Sequence, residues 1–91
     1  MTEQVALETK LDSSAVEKLR TDLLAVQDND VVLDGSDVEQ VGGLCLELIM
    51  SVRHLWGAAG NAVTLENPSE QMLDDLGRFG LTHEDFKGRP A

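Results

Sequence analysis

The chain has 91 residues, with seven Lys and Arg against 17 Asp and Glu, and a formal net charge of −10 at pH 7. This length suits one domain with a modest core. The excess of carboxylates argues against nucleic acid and anionic membranes as partners, because both require clustered cationic side chains. The acidity mainly indicates solubility, and the sharper interpretation is steering toward a partner with a basic surface. Since no apolar segment approaches the roughly 20 residues that cross a bilayer, no membrane insertion is expected.

The cellular compartment is predicted from two further features. The single Cys45 cannot form an internal disulfide, and the N-terminus lacks the basic, apolar and cleavage regions of a signal peptide. Both features predict a cytoplasmic protein. For Cys45 itself, a buried core position is favoured over a reactive thiolate near a helix N-terminus.

The first elements are a strand and a helix. Alternation from Gln4 to Lys10 predicts a strand with one buried face, at or near the edge of a sheet. Asp12, Ser13 or Ser14 can cap the following helix, and Glu17 would complete a capping box with Ser14. The core face of this helix is predicted to comprise Ala15, Val16, Leu19, Leu23 and Val26.

A central strand and a connector follow. The apolar segment Val31 to Leu33 predicts a strand in the middle of the sheet, covered on both faces. Ser36 to Val41 is a connector at the carboxyl end of that strand, where open α/β sheets usually meet ligands and partners. Gly42 and Gly43 permit a sharp turn or a close approach of the backbone before the next helix.

The second helix is predicted from Gly43 to Ala58. One sector of its helical wheel is expected to pack on the sheet: Leu44, Cys45, Leu48, Ile49, Val52, Leu55 and Trp56. Leu46 and Met50 fall outside this sector and, being four residues apart, are predicted to form an exposed apolar pair. Two interpretations stay open for this pair: incidental exposure or partial cover by another helix, or contact with a partner.

The C-terminal third adds a strand and a helix. Ala62 to Glu66 predicts a short strand, and Asn67-Pro68-Ser69 marks the start of a third helix. The apolar side of this helix is expected to comprise Met72, Leu73, Leu76 and Phe79. A final turn capped by Thr82 would place Leu81 and Phe86 in the core, although the tail from about residue 84 is expected to fray.

These elements alternate between strand and helix along the whole chain. Such alternation predicts a single α/β domain over residues 1–91, with a mixed or parallel sheet of about four strands packed with three to four helices. No set of residues typical of an enzyme, a cofactor site or a metal site emerges. His54 could in principle bind a metal with Glu47 or Glu39, but no HxxxH, CxxC or dense carboxylate loop accompanies it, and His83 is expected at the surface.

An ordered set of short motifs resembles a known family. The set comprises Leu11-Asp12, Val32-Leu33-Asp34, Ser36-Asp37-Val38-Glu39-Gln40-Val41, Trp56, Asn67-Pro68-Ser69 and Phe79-Gly80-Leu81. In this order the motifs resemble STAS domains, small α/β modules typified by bacterial anti-sigma factor antagonists. The most similar members are short stand-alone proteins of the chemotaxis or two-component type. The resemblance implies a STAS-like fold, in a version shortened at the N-terminus by one strand.

One departure from the family pattern bears on function. Members regulated by phosphorylation carry Asp-Ser-Ser-Gly or Asp-Thr-x-Gly directly after the connector. Placed on this sequence, that motif falls on Gly42, Gly43, Leu44 and Cys45. No Ser or Thr lies between Asp37 and Met50, so the phosphoacceptor is absent, and Ser36 is interpreted as a turn residue rather than a substitute phosphosite.

The resemblance therefore implies a non-catalytic regulatory module that binds a histidine kinase, an anti-sigma factor or a kinase-like protein in bacterial signalling. A homodimer is a further option, and the alternative function is a sensor of a small ligand, nucleotide or lipid, or a subunit of a transport complex. The predicted partner surface joins the connector to the exposed flank of the second helix. It comprises Ser36, Asp37, Glu39, Gly42, Gly43, Leu46 and Met50.

Overall fold

The computed structural model describes residues 2–87 of the chain. Along this region the elements are β1 (Thr2–Ala6), β2 (Lys10–Leu11), α1 (Val16–Ala25), β3 (Asp30–Asp34), β4 (Gln40–Val41), α2 (Gly43–Ala58), β5 (Val63–Glu66) and α3 (Glu70–Arg78). Short 3-10 turns precede α1 and follow α3, at Ser13–Ala15 and His83–Phe86. This small α/β arrangement with parallel strands confirms the predicted fold class.

The main sheet has three parallel strands in the order β1-β3-β5. This order confirms the central position of the Val31–Leu33 segment and the edge position of the first strand. That first strand is shorter than predicted, however. After the Leu7 amide donates to the Asp34 carbonyl at 3.0 Å, the chain leaves the main sheet, and β2 pairs with β4 in a separate parallel ladder. The predicted strand from Gln4 to Lys10 is thus divided between two sheets.

Within residues 2–87, one face of the main sheet is buried and the other is not. The buried face comprises Val5, Val31, Leu33, Val63 and Leu65. On the opposite face, the register aligns Gln4, Val32 and Thr64, and none of the three is buried. The prediction that the central strand is covered on both faces is therefore wrong. The reason is that α3 packs against β4, whereas α2 packs against β5 and α1.

The first helix has the predicted core face, and Asp12, one of the three predicted caps, caps the 3-10 turn that leads into it. Leu19 and Leu23 are buried and Val16 is half-buried. The Asp12 carboxylate accepts hydrogen bonds from the Ser14 amide at 3.0 Å and the Ser14 hydroxyl at 2.6 Å, and the hydroxyl contact lowers the pKa of Asp12. The predicted capping box between Ser14 and Glu17 does not form.

The second helix has the predicted bounds, but its buried side is rotated. The buried residues of α2 are Cys45, Leu46, Ile49, Arg53 and Trp56. Leu46 is only 6% exposed, so the predicted exposed pair of Leu46 and Met50 is wrong, and Met50 is half-buried. Leu44 and Leu55, predicted to be core, are 58% and 64% exposed. Because α2 carries apolar residues around most of its circumference, the wheel alone could not fix its orientation.

The third helix begins as predicted, with Ser69 as the N-cap residue whose hydroxyl accepts from the Met72 amide at 3.0 Å. Met72 and Leu76 are buried, but Phe79 is 47% exposed, contrary to the prediction. The helix ends there because Gly80 adopts a φ of +77°, a conformation that favours glycine. Leu73 is likewise exposed rather than core.

The C-terminal turn is part of the core. Phe86 is 2% exposed, and the predicted turn capped by Thr82 is present, with Thr82 and Asp85 forming a capping box. The buried Arg53 guanidinium donates to the Lys87 carbonyl at 2.9 Å. These contacts contradict the predicted fraying for residues 84–87, while residues 88–91 lie outside the described residues.

The rotation of α2 generates the first testable prediction. Leu46→Ser should lower the free energy of unfolding by about 2–4 kcal/mol, because it leaves a cavity and buries a hydroxyl. Leu44→Ser, its matched control two residues away, should change stability by less than about 0.5 kcal/mol. Urea denaturation followed by circular dichroism measures both. If Leu44→Ser destabilised the protein more than Leu46→Ser, the buried sector predicted from the helical wheel would be correct.

Candidate functional site

The connector begins with a tight turn at the carboxyl end of β3. The Asp34 carboxylate accepts from the Ser36 amide at 3.0 Å, and Ser36 itself is exposed in the turn. Gly35 is buried, and a Cβ at this position would lie 2.6 Å from the Met72 Sδ and 3.3 Å from the Pro68 Cα. Glycine is therefore needed where β3 passes under α3.

Both sides of the connector are held by hydrogen bonds. From α3, the Ser69 hydroxyl donates to the Val38 carbonyl, and the Asp75 carboxylate accepts from the Val41 amide at 2.8 Å. From the N-terminal side, the Thr9 carbonyl accepts from the Glu39 amide at 2.7 Å. Because these bonds fix the backbone on both sides, the connector is a rigid link between β3 and α2.

The first residue of the link into α2 leaves little room for a side chain, and the next leaves more. The Gly42 amide donates to the Leu11 carbonyl at 2.7 Å, and a Cβ on Gly42 would lie 3.0 Å from that carbonyl oxygen. A Cβ on Gly43 would meet only the Phe79 ring, at 3.8 Å, an ordinary van der Waals distance. Gly42 thus brings α2 close to β2, whereas Gly43 places the start of α2 beside Phe79.

An open groove of about 620 Å³ runs along the first two turns of α2. Gly43, Leu44, Leu46, Glu47 and Met50 supply one wall and the floor, and Phe79 and Leu81 supply the other wall. We call this feature the α2 groove. Leu46 is its buried floor, and Leu44 and Phe79 are exposed at its rim. Glu47 is the only ionisable residue in the lining, so the groove is an apolar surface with one carboxylate.

The structure brings together part of the predicted partner surface. Gly43, Leu46 and Met50 all line the α2 groove, although Leu46 lies at its floor rather than on an exposed flank. The other predicted residues are separate from the lining: Ser36, Asp37, Glu39 and Gly42. Among these, Ser36, Asp37 and Glu39 are exposed in the connector, while Gly42 has a structural role against β2.

Four groove residues were missed by sequence reasoning: Leu44, Glu47, Phe79 and Leu81. Leu44 and Phe79 were both assigned to the core because each fits an apolar helical period. One signal could have identified Phe79, since it directly precedes Gly80, and a residue at the end of a helix has less of its surface covered by that helix. The sequence holds no comparable signal for Leu81 or Glu47.

The chemistry of the site does not point to a nucleophile or a metal. Cys45 is fully buried, and its thiol donates to the Asp12 carbonyl at 3.3 Å. Burial, with a smaller effect from the charge of Asp12, raises the pKa of the Cys45 thiol. Within residues 2–87, no group of three or more His, Cys, Asp or Glu side chains could hold a metal ion. His83 instead places its Nε2 2.6 Å from the Leu65 carbonyl oxygen.

Comparison with known families identifies the fold. A family model described as "Mlab, STAS domain" matches residues 2–87. The chain therefore belongs to the STAS domain family, as its motifs predicted, and has the general anti-sigma-factor-antagonist-like fold of a family that is generally non-catalytic. No curated protein and no solved structure matches the chain. None of the helices in the described part of the chain has the length and apolarity needed to span a membrane.

The two glycines at the start of α2 should respond differently to substitution. Gly42→Ala should destabilise the protein by about 1 kcal/mol or more, because its Cβ would press on the Leu11 carbonyl to which the same residue donates. Gly43→Ala should be neutral or stabilising by up to about 1 kcal/mol, because alanine favours a helix. Thermal melts of both variants measure the difference. Equal melting temperatures would show that the backbone of β2 yields to the added methyl group.

Cys45 should behave as a protected thiol. At neutral pH it should react with an aromatic disulfide reagent only as the protein unfolds, because it is buried and its pKa is raised. As the pH rises above the usual thiol pKa of about 8.5, the unfolded thiol ionises before the folded one, so the stability contributed by Cys45 should fall. The difference in free energy of unfolding between wild type and Cys45→Ala, measured from pH 7 upwards, should therefore shrink. A difference that grows with pH would contradict the direction of the shift.

Proposed function

We propose that the chain is a non-catalytic regulatory module of bacterial signalling that binds a regulatory protein, such as a histidine kinase or an anti-sigma factor, through the α2 groove and the adjoining connector. One observation carries this proposal: Leu44 and Phe79 expose large apolar side chains at the rim of the groove. The fold does not require these side chains to be apolar, whereas an interface would, because apolar anchors supply most of the affinity in protein complexes.

The composition of the groove favours a protein over a small ligand. Its volume of about 620 Å³ lies within the range of small-molecule sites, but such sites combine apolar walls with several convergent polar groups. Here Glu47 is the only ionisable group in the lining. The groove is also open along its length, so it would leave much of a small molecule in water. A protein segment can cover an open surface of this kind.

The start of α2 supports constitutive binding rather than a phosphorylation switch. The residues at this position are Gly42, Gly43, Leu44 and Cys45, and the N-cap residue of α2 is Gly42, which has no side chain. A hydroxyl is therefore missing where the regulated members of the family carry one. Control of this module would then come from the amount or the state of its partner.

The exposed acids of the connector have a separate proposed role. Asp37 and Glu39 precede the start of α2, and neither takes part in an ion pair among residues 2–87. Exposed charges at the rim of an interface mainly accelerate encounter and lose their effect as salt is added. In this role they would attract a basic partner, while the apolar residues of the groove hold it.

Photo-crosslinking from two leucine positions tests the proposal. A crosslinking amino acid in place of Leu44 should capture one regulatory protein in cells, and the same amino acid in place of Leu55 should not. Both positions lie on α2 and are similarly exposed, but Leu55 lies outside the groove. The captured protein, once purified, should bind the wild-type chain in calorimetry. Incubating the two with ATP should change neither the mass of this chain nor the dissociation constant.

Two results would contradict the proposed function. Equal capture from both positions, with no binding of the purified protein, would show that the groove is not an interface. Stoichiometric phosphate on Ser36 or Ser51 after incubation with the partner and ATP would overturn constitutive binding. Phosphate on Ser51 would also place the regulatory site on α2 itself rather than in the connector.

A further inference from the structure

The shape of the α2 groove restricts the conformation of whatever occupies it. Its α2 wall extends from Gly43 to Met50, which is about 10 Å or two helical turns. Neither wall offers the edge of a β-strand, and the amides that no helical bond satisfies are confined to the first turn of α2. Beyond its first turn the α2 wall is helical and bonded internally, and in the other wall the amides of Phe79, Gly80 and Leu81 all donate back to the end of α3.

This arrangement disfavours an extended segment. A bound β-strand gains affinity by hydrogen bonding to a free sheet edge, and the groove has no such edge. An occupant must therefore satisfy its own backbone hydrogen bonds while it presents apolar side chains to the groove. An amphipathic α-helix meets both conditions, because its backbone bonds are internal and its residues at i, i+3, i+4 and i+7 share one face.

The charges around the groove indicate which charge the surface of a partner should carry. Glu47 lies in the lining and has no ion pair among residues 2–87. Arg78, which directly precedes Phe79 in the sequence, is paired with the Asp75 carboxylate at 3.6 Å and not with Glu47. Elsewhere, Lys18, Arg20 and Lys87 are also paired with carboxylates. With a net charge of −10 over the chain, an approaching partner meets mainly uncompensated carboxylates.

We propose that the α2 groove binds a basic amphipathic helix of the partner protein, which inserts large apolar side chains between Met50 and Phe79 and places a Lys or Arg beside Glu47. This inference rests on the proposed function and specifies the chemistry of the partner. Met50 suits such a role because its flexible thioether adapts to apolar side chains of different shapes. Leu44 and Phe79, on opposite sides of the groove, contact the flanks of the inserted helix.

Model peptides test the proposal directly. The first probe is a helical peptide of about 18 residues, long enough to hold a helix, with Leu on one face and Lys on both flanks. The second has Glu in place of Lys, and the third has the composition of the first in a scrambled order. Each is titrated into the isotope-labelled wild-type chain by NMR at low salt. The Lys peptide should shift the signals of Gly43, Glu47 and Leu81, with an affinity about tenfold or more above that of either control.

Matched variants show which side chains contribute to the affinity for the Lys peptide. Leu44→Ser and Phe79→Ser should each weaken binding of the Lys peptide by about fivefold or more, as expected for apolar anchors. Leu24→Ser and Leu55→Ser, which remove equally exposed leucines elsewhere, should leave it unchanged. Glu47→Gln should reduce the preference for the Lys peptide over the Glu peptide. The same change at Glu66, an exposed acid on the open face of the main sheet, should not.

Several results would overturn the inference. These are equal binding of the Lys and scrambled peptides, equal loss from Leu55→Ser and Leu44→Ser, or signal shifts confined to the open sheet face. Saturation of the groove by a second copy of this chain or by a fatty acid, without peptide binding, would also overturn it. If the crosslinked partner binds through an extended or acidic segment, only the helix proposal fails. If no protein binds at the groove, the proposed function fails as well.

Discussion

Hydrogen bonds from α3 to the connector determine where every part of the candidate site lies. The Ser69 hydroxyl and the Asp75 carboxylate hold the backbone of Val38 and Val41, and the same Ser69 hydroxyl caps α3. One side chain therefore starts a helix and fixes the connector at once. Because α2 follows directly from this connector, these bonds also set the distance between α2 and the end of α3. The α2 groove is the space that remains between them.

The open face of the main sheet and the rim of the α2 groove are both exposed, but they differ in polarity. Parallel sheets are usually covered on both faces, so an uncovered one could be an incomplete core. Here polar side chains make that face compatible with water: Gln4 donates to Asp34 at 3.4 Å, and the face also carries Thr64 and Glu66, with Val32 only half-buried. The sheet therefore needs no second layer. The rim of the groove, in contrast, exposes the apolar side chains of Leu44 and Phe79 to solvent.

A feature of this fold could be predicted from the sequence where its residue pattern is compatible with only one local structure. The start of α3 at Asn67-Pro68-Ser69 and the strand that ends at Glu66 were predicted correctly, because helix-start and strand patterns each favour a single arrangement. The buried side of α2 was not, because Leu44, Leu46, Leu48 and their neighbours are apolar in almost every direction. Only the packing of neighbouring elements chooses between these directions. At the candidate site the prediction was wrong in both directions. Leu46, predicted to be exposed, is buried, and Leu44, predicted to be in the core, is exposed.

This error leads to an argument about function. Leu46, Ile49 and Phe86 are apolar because the core requires it, and their identity therefore reveals nothing about a partner. Leu44 and Phe79 are more than 40% exposed, and a polar side chain at either position would cost the fold little. Exposure alone does not distinguish them, since Leu24 and Leu55 are as exposed, but Leu44 and Phe79 line the same groove. Since both border one groove whose lining is otherwise apolar, a single bound segment would account for both, and Glu47, which has no ion pair among residues 2–87, favours a basic segment.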